Sequence, residues 1–480
     1  MSNEGDKTAE GGKKGFWNFI DNIQGDKVVW IIVFMLIMIS ALAIFSSTST
    51  LTGADRDRVD LMKTHALFIA GGLCLIWLLY KIKSIRFFRR CSQFGFGLSL
   101  ILLLMMFFKI DLGFIKAANI NEATRSLLLF NSFQIHVFEF VKVAMVMYLA
   151  WALDAYRSDQ QDMESGQKPS TFKLANYLST KYEKLAFLKT AKWKRIVYLY
   201  LPVIIVTVLC KPGSNSSMIF IGGISLIILW IGSMPIKELL MIILCGLLGL
   251  GSMIGIHYIS GGRVFKDMRI GTLVSRITDQ KDIYTLIEVE NNPQHGKKSK
   301  LWYEVRDDIK QPYTATIAIR QGGIFGKGSG NSTQKYIVTH IYSDYMFSFI
   351  VEEYGLIGGF LVIILFVSLL ARGSMIARLC QNDFAKYAVG GLSFMITAQA
   401  FMHIMVNADI GVMTGQTLPL ISDGRFAFIM FCIAFGIILS ISKIAKKQIE
   451  AEESMYGKTP AEQMIEEQKI DEQNIEEQNQ

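Results

Sequence analysis

Long apolar runs alternate with short polar segments along the 480 residues of the chain. The runs contain about 16 to 24 residues, close to the ~20 that a helix needs to cross a hydrocarbon core. They cover residues 28–46, 65–80, 94–110, 134–153, 196–210, 217–232, 238–257, 347–371, 384–406 and 425–443. Only helices or closed barrels satisfy the backbone in lipid, and the period-two alternation of a barrel is absent from the sequence. We therefore predict an all-α polytopic membrane protein with about ten transmembrane helices.

Basic residues beside the apolar runs predict the orientation of these helices. The segment between the second and third runs contains Lys81, Lys83, Arg86, Arg89 and Arg90, and the segment between the fourth and fifth runs is also basic. Positively charged loops face the cytoplasm, so both termini are expected there as well. The long polar segment between helices 7 and 8 then lies on the outer face. Because structureless loops of this length are uncommon, we expect this segment to be functional.

This orientation divides the chain into five parts. We predict a cytoplasmic N-terminal segment over 1–27, transmembrane helices 1–7 over 28–257, a large extracytoplasmic loop over 258–346, transmembrane helices 8–10 over 347–446 and a disordered cytoplasmic tail over 447–480. The tail is rich in Gln and Glu and poor in apolar residues, a composition that predicts a disordered or loosely helical segment. The positively charged residues behind the formal net charge of +8 cluster beside the apolar runs. In these positions they determine topology and do not indicate nucleic-acid binding.

Four polar motifs lie at the edges of the apolar runs. Residues 340–359 read HIYSDYMFSFIVEEYGLIGG, which places Asp344 at the mouth of an apolar helix, and residues 322–335 read GGIFGKGSGNSTQK. Residues 399–424 read QAFMHIMVNADIGVMTGQTLPLISDG, and residues 121–150 read NEATRSLLLFNSFQIHVFEFVKVAMVMYLA. In order, spacing and position these segments resemble motifs of the SEDS family of membrane glycosyltransferases, whose members have ten transmembrane helices.

Several positions depart from the family pattern. His403 stands where the family has Asn, Asp409 and Arg425 stand where it has Gly, and Thr417 stands where it has Pro. The glycine-rich motif is more similar to the division branch of the family, FtsW, than to the elongation branch, RodA.

The resemblance implies a peptidoglycan glycosyltransferase that polymerises lipid II, the undecaprenyl-pyrophosphate-linked disaccharide peptide, into glycan strands. It also implies a class B penicillin-binding protein transpeptidase and other divisome proteins as partners, and a location in the bacterial cytoplasmic membrane at the division septum. A RodA-like elongation polymerase, a lipid II flippase and a scaffold without bond chemistry are the alternatives. A flippase or a scaffold needs no general base, whereas a polymerase does.

Joining two lipid-linked sugars requires a general base for the attacking hydroxyl and cations for the leaving pyrophosphate. Asp344 is the candidate base, because a partly desolvated carboxylate at a bilayer edge is a stronger base than one in water, and the resemblance implies this role. Alternatively, Ser343 and Asp344 cap the helix that follows, and the two roles are compatible. Glu352 and Glu353 form no pair with Asp344 at ~100° per residue, so we favour a structural ion pair for one of them.

We predict substrate-binding roles for Arg125, Glu139, Lys142, Lys327, Asn331, Gln334 and Lys335. Glu139 and Lys142 lie inside a span, where ionisable residues usually face a polar cavity, although a self-contained helical ion pair is the alternative. The three cations of the outer segments suit pyrophosphate, and the two amides suit sugar. No His, Cys and carboxylate cluster has metal-ligand spacing, although a divalent cation such as Mg²⁺ or Mn²⁺ between Asp344 and pyrophosphate is chemically reasonable.

Overall fold

The structure is a computed structural model that describes residues 24–48, 58–113, 115–120, 123–130, 133–167, 171–182, 187, 189–260, 283–291, 300–338, 341–410 and 414–456. Its helices are α1 (Lys27–Ser47), α2 (Arg58–Lys81), α3 (Ile85–Phe107), α4 (Val137–Glu164), α5 (Lys173–Lys181), α6 (Ala191–Cys210, with a π-helical turn over Ile196–Tyr200), α7 (Asn215–Ile231), α8 (Ile236–Ile259), α9 (Ile283–Asn291), α10 (Lys300–Gly322), α11 (Met346–Leu379), α12 (Asp383–Asn407) and α13 (Arg425–Tyr456). Strands β1 (Ile115–Ile120), β2 (Ala123–Leu129) and β3 (Phe133–Ile135) lie between α3 and α4.

Ten of these helices coincide with the ten apolar runs. Within the part of the chain that the structure describes, α1, α2, α3, α6, α8, α11, α12 and α13 are long and apolar enough to cross a membrane. Helix α7 is apolar but shorter, and α4 is long but contains Glu139, Lys142 and Asp154. Helix α4 lies at the centre of the bundle, with nearly all side chains between Val141 and Tyr156 buried. The predicted all-α polytopic architecture is therefore confirmed.

Small residues allow the central helices to approach each other closely. A Cβ at Gly72 of α2 would lie 2.5 Å from the Phe428 ring of α13, and a Cβ at Gly373 of α11 would lie 2.1 Å from the Ser393 hydroxyl of α12. Helices in lipid gain little from hydrophobic burial against one another, so close packing must supply the attraction. These contacts hold α2 against α13 and α11 against α12 around the site described below.

A small antiparallel sheet precedes α4, which the sequence analysis did not anticipate. Strand β2 pairs with both β1 and β3, and its register places Leu127 opposite Ala117 and Ile135. Strand β3 occupies the first residues of the predicted span 134–153, so the helix begins later, at Val137. Leu127 is buried, and β2 contacts both α3 and α4. The sheet therefore covers one end of the bundle.

Part of the predicted extracytoplasmic loop is helical. Helices α9 and α10 lie within it, and a 3-10 turn follows over Gln334–Tyr336. Helix α10 packs along α11, which brings the segment after α10 against the start of α11. Residues 261–282, 292–299 and 339–340 of the predicted loop lie outside the described residues.

The last helix extends beyond the predicted end of the membrane region. Helix α13 continues to Tyr456, so its final turns enter the segment that the composition predicts to be disordered or loosely helical. The rest of that tail, and the N-terminal segment up to residue 23, lie outside the described residues.

Candidate active site

Asp344 lies in the turn that leads into α11, and its side chain is half-buried. The carbonyl of Asp344 accepts a hydrogen bond from the Asn407 side-chain amide at the end of α12 (3.1 Å). The carbonyl of Ser343 accepts a hydrogen bond from the Ser422 hydroxyl, just before α13 (2.8 Å). Two separate parts of the chain therefore fix the backbone that carries the candidate base.

Two side chains of α12 accept hydrogen bonds from the first turn of α11. The Phe347 N–H donates to His403 Nε2 (3.3 Å), and the Ser348 N–H donates to Asn407 Oδ1 (2.9 Å). A helix N-terminus otherwise leaves such N–H groups without partners. The N–H groups of Phe347 and Ser348 are therefore satisfied by α12. The Asp344 carboxylate accepts a hydrogen bond from the neighbouring Ser343 hydroxyl (3.2 Å).

The capping contact explains how His403 can replace the family's Asn. Its Nε2 accepts a hydrogen bond, so the ring proton lies on Nδ1, which donates to the Gln416 carbonyl (2.7 Å). This assignment rests on the hydrogen-bond partners, and it gives a neutral imidazole that is 1% exposed. An Asn side chain offers the same combination of one acceptor and one donor group. His403 therefore supplies the same two kinds of hydrogen-bonding group as the Asn of the motif.

Asp409 is another residue that departs from the family motif, and its backbone conformation explains why the motif has glycine at this position. Its φ is +59°, in the left-handed region that glycine adopts without strain. Aspartate is among the residues that tolerate this region best, so the substitution is compatible with the same turn at the end of α12.

Lys142 is the centre of a second polar cluster, inside the bundle. Its ammonium group donates to Glu139 Oε1 (2.7 Å), Gln399 Oε1 (2.6 Å) and Gln416 Oε1 (2.9 Å). The side chain is 2% exposed, and an ammonium group has three protons to donate. All three protons therefore have protein acceptors, contributed by α4, α12 and the segment 414–424. The predicted ion pair between Glu139 and Lys142 is present, as one part of a larger network.

The segment 414–424 connects this cluster to Asp344. Gln416 contacts Lys142, and a Cβ at the preceding residue, Gly415, would lie 3.8 Å from Asp344 Oδ2. Gly415 has a φ of +61°, which favours glycine at this position. The structure therefore brings Asp344, Glu139 and Lys142, three of the predicted site residues, into one connected region.

Two tyrosines beside Asp344 belong to this region, although the sequence analysis did not select them. Burial, followed by the nearby carboxylates of Asp423 and Asp344, raises the pKa of Tyr342. Burial, followed by Asp344 and Asp409, raises the pKa of Tyr345. Both phenols therefore stay protonated at neutral pH and can donate hydrogen bonds. The Tyr345 hydroxyl is buried and has no hydrogen-bond partner among the described residues.

Glu352 organises the remaining predicted residues into a separate cluster. Its carboxylate accepts hydrogen bonds from the Lys327 ammonium (2.7 Å), the Thr333 N–H (2.9 Å) and the Ser332 hydroxyl. Lys327 also donates to Gln321 Oε1 (2.6 Å). Glu352 is fully buried, so these bonds satisfy a charge that would otherwise be costly. This is the structural ion pair predicted for one of the two glutamates.

The other predicted residues of this segment also have protein partners. The Gln334 amide is buried and donates to Gln321 Oε1 (3.2 Å), and the buried Lys335 ammonium donates to the Gly330 carbonyl (2.8 Å). Asn331 is exposed, and its amide donates to the Lys327 carbonyl (3.0 Å).

A break in α11 receives the glycine-rich loop, residues 322–330. Gly355 has a φ of +71° and a ψ of −174°, which interrupts the helix. The freed carbonyls of Glu352 and Glu353 accept the N–H groups of Lys327 and Gly328 (2.9 Å each). A Cβ at Gly355 would lie 2.1 Å from a carbonyl oxygen of the loop. Gly322 and Gly326 of the loop also lie against the backbone of α11, since a Cβ at either would lie 2.0 or 2.2 Å from a carbonyl oxygen of that helix.

The predicted substrate-binding residue Arg125 belongs to β2, but its side chain lies outside the described residues. Among the residues that are described, no group of three or more His, Cys, Asp and Glu side chains is placed to hold a metal ion.

Comparison with known proteins gives the family of this chain. The family model described as "Cell cycle protein", FtsW/RodA/SpoVE, matches residues 26–447. The probable peptidoglycan glycosyltransferase FtsW of Coxiella burnetii is 25% identical over 421 residues, which are 86% of this chain and 95% of the relative. Stage V sporulation protein E of Bacillus subtilis is 23% identical over 407 residues, which are 80% and 95% of the two chains.

A solved structure supports the fold. A chain from a study of structural coordination of polymerization and crosslinking by a peptidoglycan synthase complex superposes with a TM-score of 0.57. The two chains are 16% identical, and the match covers 87% of this chain and 97% of the other. The family model, the two relatives and the shared fold all agree with the SEDS resemblance of the motifs. The chain belongs to the FtsW/RodA/SpoVE family of cell cycle proteins.

Proposed function

We propose that this protein is a peptidoglycan glycosyltransferase that polymerises lipid II at the outer face of the bacterial cytoplasmic membrane, with Asp344 as the general base. One observation carries the proposal. The backbone of Asp344 is held at the mouth of α11, because its carbonyl and that of Ser343 accept hydrogen bonds from Asn407 and Ser422. A half-buried carboxylate on a fixed backbone is suited to accept a proton.

In the proposed reaction, the base acts on a sugar hydroxyl of one lipid-linked saccharide. The hydroxyl oxygen attacks the anomeric carbon of a second saccharide and forms the new glycosidic bond. The bond from that carbon to the pyrophosphate oxygen breaks, and its electron pair leaves with the polyprenyl pyrophosphate. Asp344 accepts the hydroxyl proton, a contribution typically worth 10²–10⁴-fold in rate. The protonated phenol of Tyr342, which is half-buried, can donate a hydrogen bond to a substrate oxygen on the same side.

The Lys142 cluster fits a positioning role in this reaction. Its ammonium group is saturated by protein acceptors, and it holds the segment that carries Gly415 beside Asp344. A substrate phosphate would have to replace one of these acceptors to reach the ammonium group. Lys327, Gln334 and Lys335 shape the glycine-rich loop in a similar way, and Asn331 remains an exposed candidate for sugar contact.

The proposed sidedness follows from the basic loops. Both termini face the cytoplasm, and Asp344 then opens to the outer leaflet, where the lipid tail stays in the bilayer and the sugars stay in water. The FtsW relatives favour a role at the division septum over RodA-like elongation. The similarity to a chain of a peptidoglycan synthase complex supports a class B penicillin-binding protein transpeptidase as partner, with other divisome proteins.

Polymerisation of purified lipid II by an Asp344→Asn variant tests this function. Asparagine keeps the size of the side chain but cannot act as the base, so we expect glycan synthesis to fall by about 100-fold or more. Asp111→Asn, at an exposed position beyond α3, is the matched control and should retain wild-type activity. Full activity of Asp344→Asn would exclude the general-base role. Lipid II transport without glycan synthesis by the wild type would favour the flippase.

A further inference from the structure

The glycine-rich loop, residues 322–330, carries two large apolar side chains at its tip. Ile324 and Phe325 are 61% and 80% exposed, and the other residues of the loop are glycine, lysine and serine. Large apolar side chains that share an exposed patch mark a surface that contacts protein or lipid. The position of the loop against α11 decides between these two partners.

Backbone hydrogen bonds join the tip of the loop to an exposed apolar surface of α11. The Leu356 N–H donates to the Gly323 carbonyl (2.9 Å), and the Ile357 N–H donates to the Ile324 carbonyl (3.3 Å). The side chains of Leu356 and Ile357 are exposed, and so is that of Phe360, one turn further along the helix. Because α11 is long and apolar enough to cross a membrane, these three side chains lie on its lipid-facing surface. The tip of the loop therefore continues that surface.

Helix α1 measures the depth of this surface in the membrane. At one end of α1, Asp26 accepts a hydrogen bond from Arg372 of α11 (2.9 Å), and at the other end the Ser46 hydroxyl donates to Glu353 of α11 (2.5 Å). A rise of about 1.5 Å per residue places Asp26 and Ser46 about 30 Å apart, which is close to the thickness of a hydrocarbon core. The two contacts therefore mark the two boundaries of the core, and Glu353 marks the boundary nearer to Asp344.

The tip of the loop lies on the hydrocarbon side of this boundary. Leu356 and Ile357 follow Glu353 in the direction of the opposite boundary, so they lie roughly 5 Å deeper in the core. Ile324 pairs with Ile357 and lies at the same depth. The Gly328 N–H donates to the Glu353 carbonyl (2.9 Å), so the second half of the loop returns to the boundary. The chain thus enters the core and leaves it again within one short loop.

Glycines allow the loop to lie against α11 at this depth. The backbone of α11 leaves no room for a Cβ at Gly322 or Gly326, the two glycines on either side of the tip. The loop therefore presents bare backbone to the helix and its apolar side chains to the opposite side. Irregular backbone at membrane depth is tolerated where protein covers it and supplies its partners, and the carbonyls of Gly322 and Ile324 both accept N–H groups of the protein.

We propose that the glycine-rich loop inserts Ile324 and Phe325 into the hydrocarbon of the leaflet nearer to Asp344. Helix–helix interfaces in membranes are enriched in small residues, whereas this surface presents Leu, Ile and Phe, so the partner is lipid and not another helix. The loop is then a re-entrant anchor that fixes the end of α10 and the beginning of α11 at one depth. The insertion follows from helix packing and exposure, and it is independent of the reaction proposed above.

Spin labels on the full-length protein, freed of its six cysteines and reconstituted into phospholipid nanodiscs, test the insertion. Labels on Ile324→Cys and Phe325→Cys should collide more often with oxygen, which concentrates in lipid, than with a water-soluble nickel chelate. Ser329→Cys, an exposed position in the second half of the same loop, is the matched control and should show the reverse order. We expect the ratio of oxygen to nickel collisions to be several-fold higher at residue 325 than at residue 329.

Two outcomes would exclude the insertion. Frequent collision with the nickel chelate at residue 325 would place the tip in water, and rare collision with both reagents would show that protein covers it. If the cysteine-free protein does not fold, Phe325→Trp and Ser329→Trp in the otherwise unchanged chain give the same comparison. Brominated lipids should quench the added emission of Phe325→Trp and spare that of Ser329→Trp, and equal quenching of the two would overturn the proposal. Neither measurement requires glycan synthesis, so failure of the general-base role of Asp344 would leave this result unaffected.

Discussion

Replacing Asn407 by leucine is expected to weaken both the stability and the activity of the protein. Asn407 is fully buried. Its side chain accepts from the Ser348 N–H (2.9 Å) and the Ser348 hydroxyl (2.8 Å), and it donates to the Asp344 carbonyl (3.1 Å). Leucine has a similar volume but no polar atom, so the substitution fills the space and keeps water from replacing the lost partners.

The structure sets the size of the effect. The buried Ser348 hydroxyl can still donate to the backbone carbonyl of residue 407 (3.4 Å), but the buried Ser348 N–H loses its partner, which costs about 1–3 kcal/mol. We therefore expect the free energy of unfolding to fall by about 1–3 kcal/mol. The Asp344 backbone also loses one of its anchors, and a displacement of the base by ~1 Å can lower the rate by about 100-fold.

Two measurements on purified protein separate these effects. Unfolding in mixed detergent micelles, titrated with a denaturing detergent, gives the change in the free energy of unfolding. Lipid II polymerisation, measured where the variant is still folded, gives the change in kcat. Gln167→Leu is the control, because Gln167 is an exposed amide just beyond the end of α4 and belongs to neither polar cluster. Wild-type stability and kcat in Asn407→Leu would refute the argument that this residue positions Asp344.

Three further results are expected. Glu352→Gln should destabilise the protein by about 3 kcal/mol, because it removes one partner of a buried ion pair, and limited proteolysis should then cut near the glycine-rich loop. Gly355→Ala should abolish folding, as measured by size-exclusion chromatography, because its Cβ would lie 2.1 Å from a carbonyl oxygen; Gly246→Ala, with open space around it, should fold normally. In an otherwise cysteine-free protein, a cysteine that replaces Ser329 should react with an impermeant reagent in intact cells. A cysteine that replaces Lys447 should react only after permeabilisation. The reverse pattern of labelling would overturn the predicted orientation.

Local patterns predicted the membrane architecture well, because a helix must satisfy its own backbone and present apolar side chains to lipid. Helix α4 shows the limit of this rule. Its charged residues make it less apolar than its neighbours, yet it is the central helix, because Lys142 and Glu139 find partners inside the bundle. The small sheet before α4 was missed, because its stability depends on pairing between strands and on contact with α3 and α4.

The sequence by itself determined the number of apolar helices, the family motifs and the selection of Asp344, since each depends on residues that are adjacent or regularly spaced along the chain. The roles of the other polar residues were decided by the tertiary structure. Lys327 and Gln334 resemble ligand-binding residues when considered alone, but α11 brings the buried Glu352 to Lys327 and to the turn before Gln334. His403 resembles a departure from a motif, but α11 gives it a helix terminus to cap. Burial makes an unpaired polar group costly, and only the packing of distant segments determines which group becomes its partner.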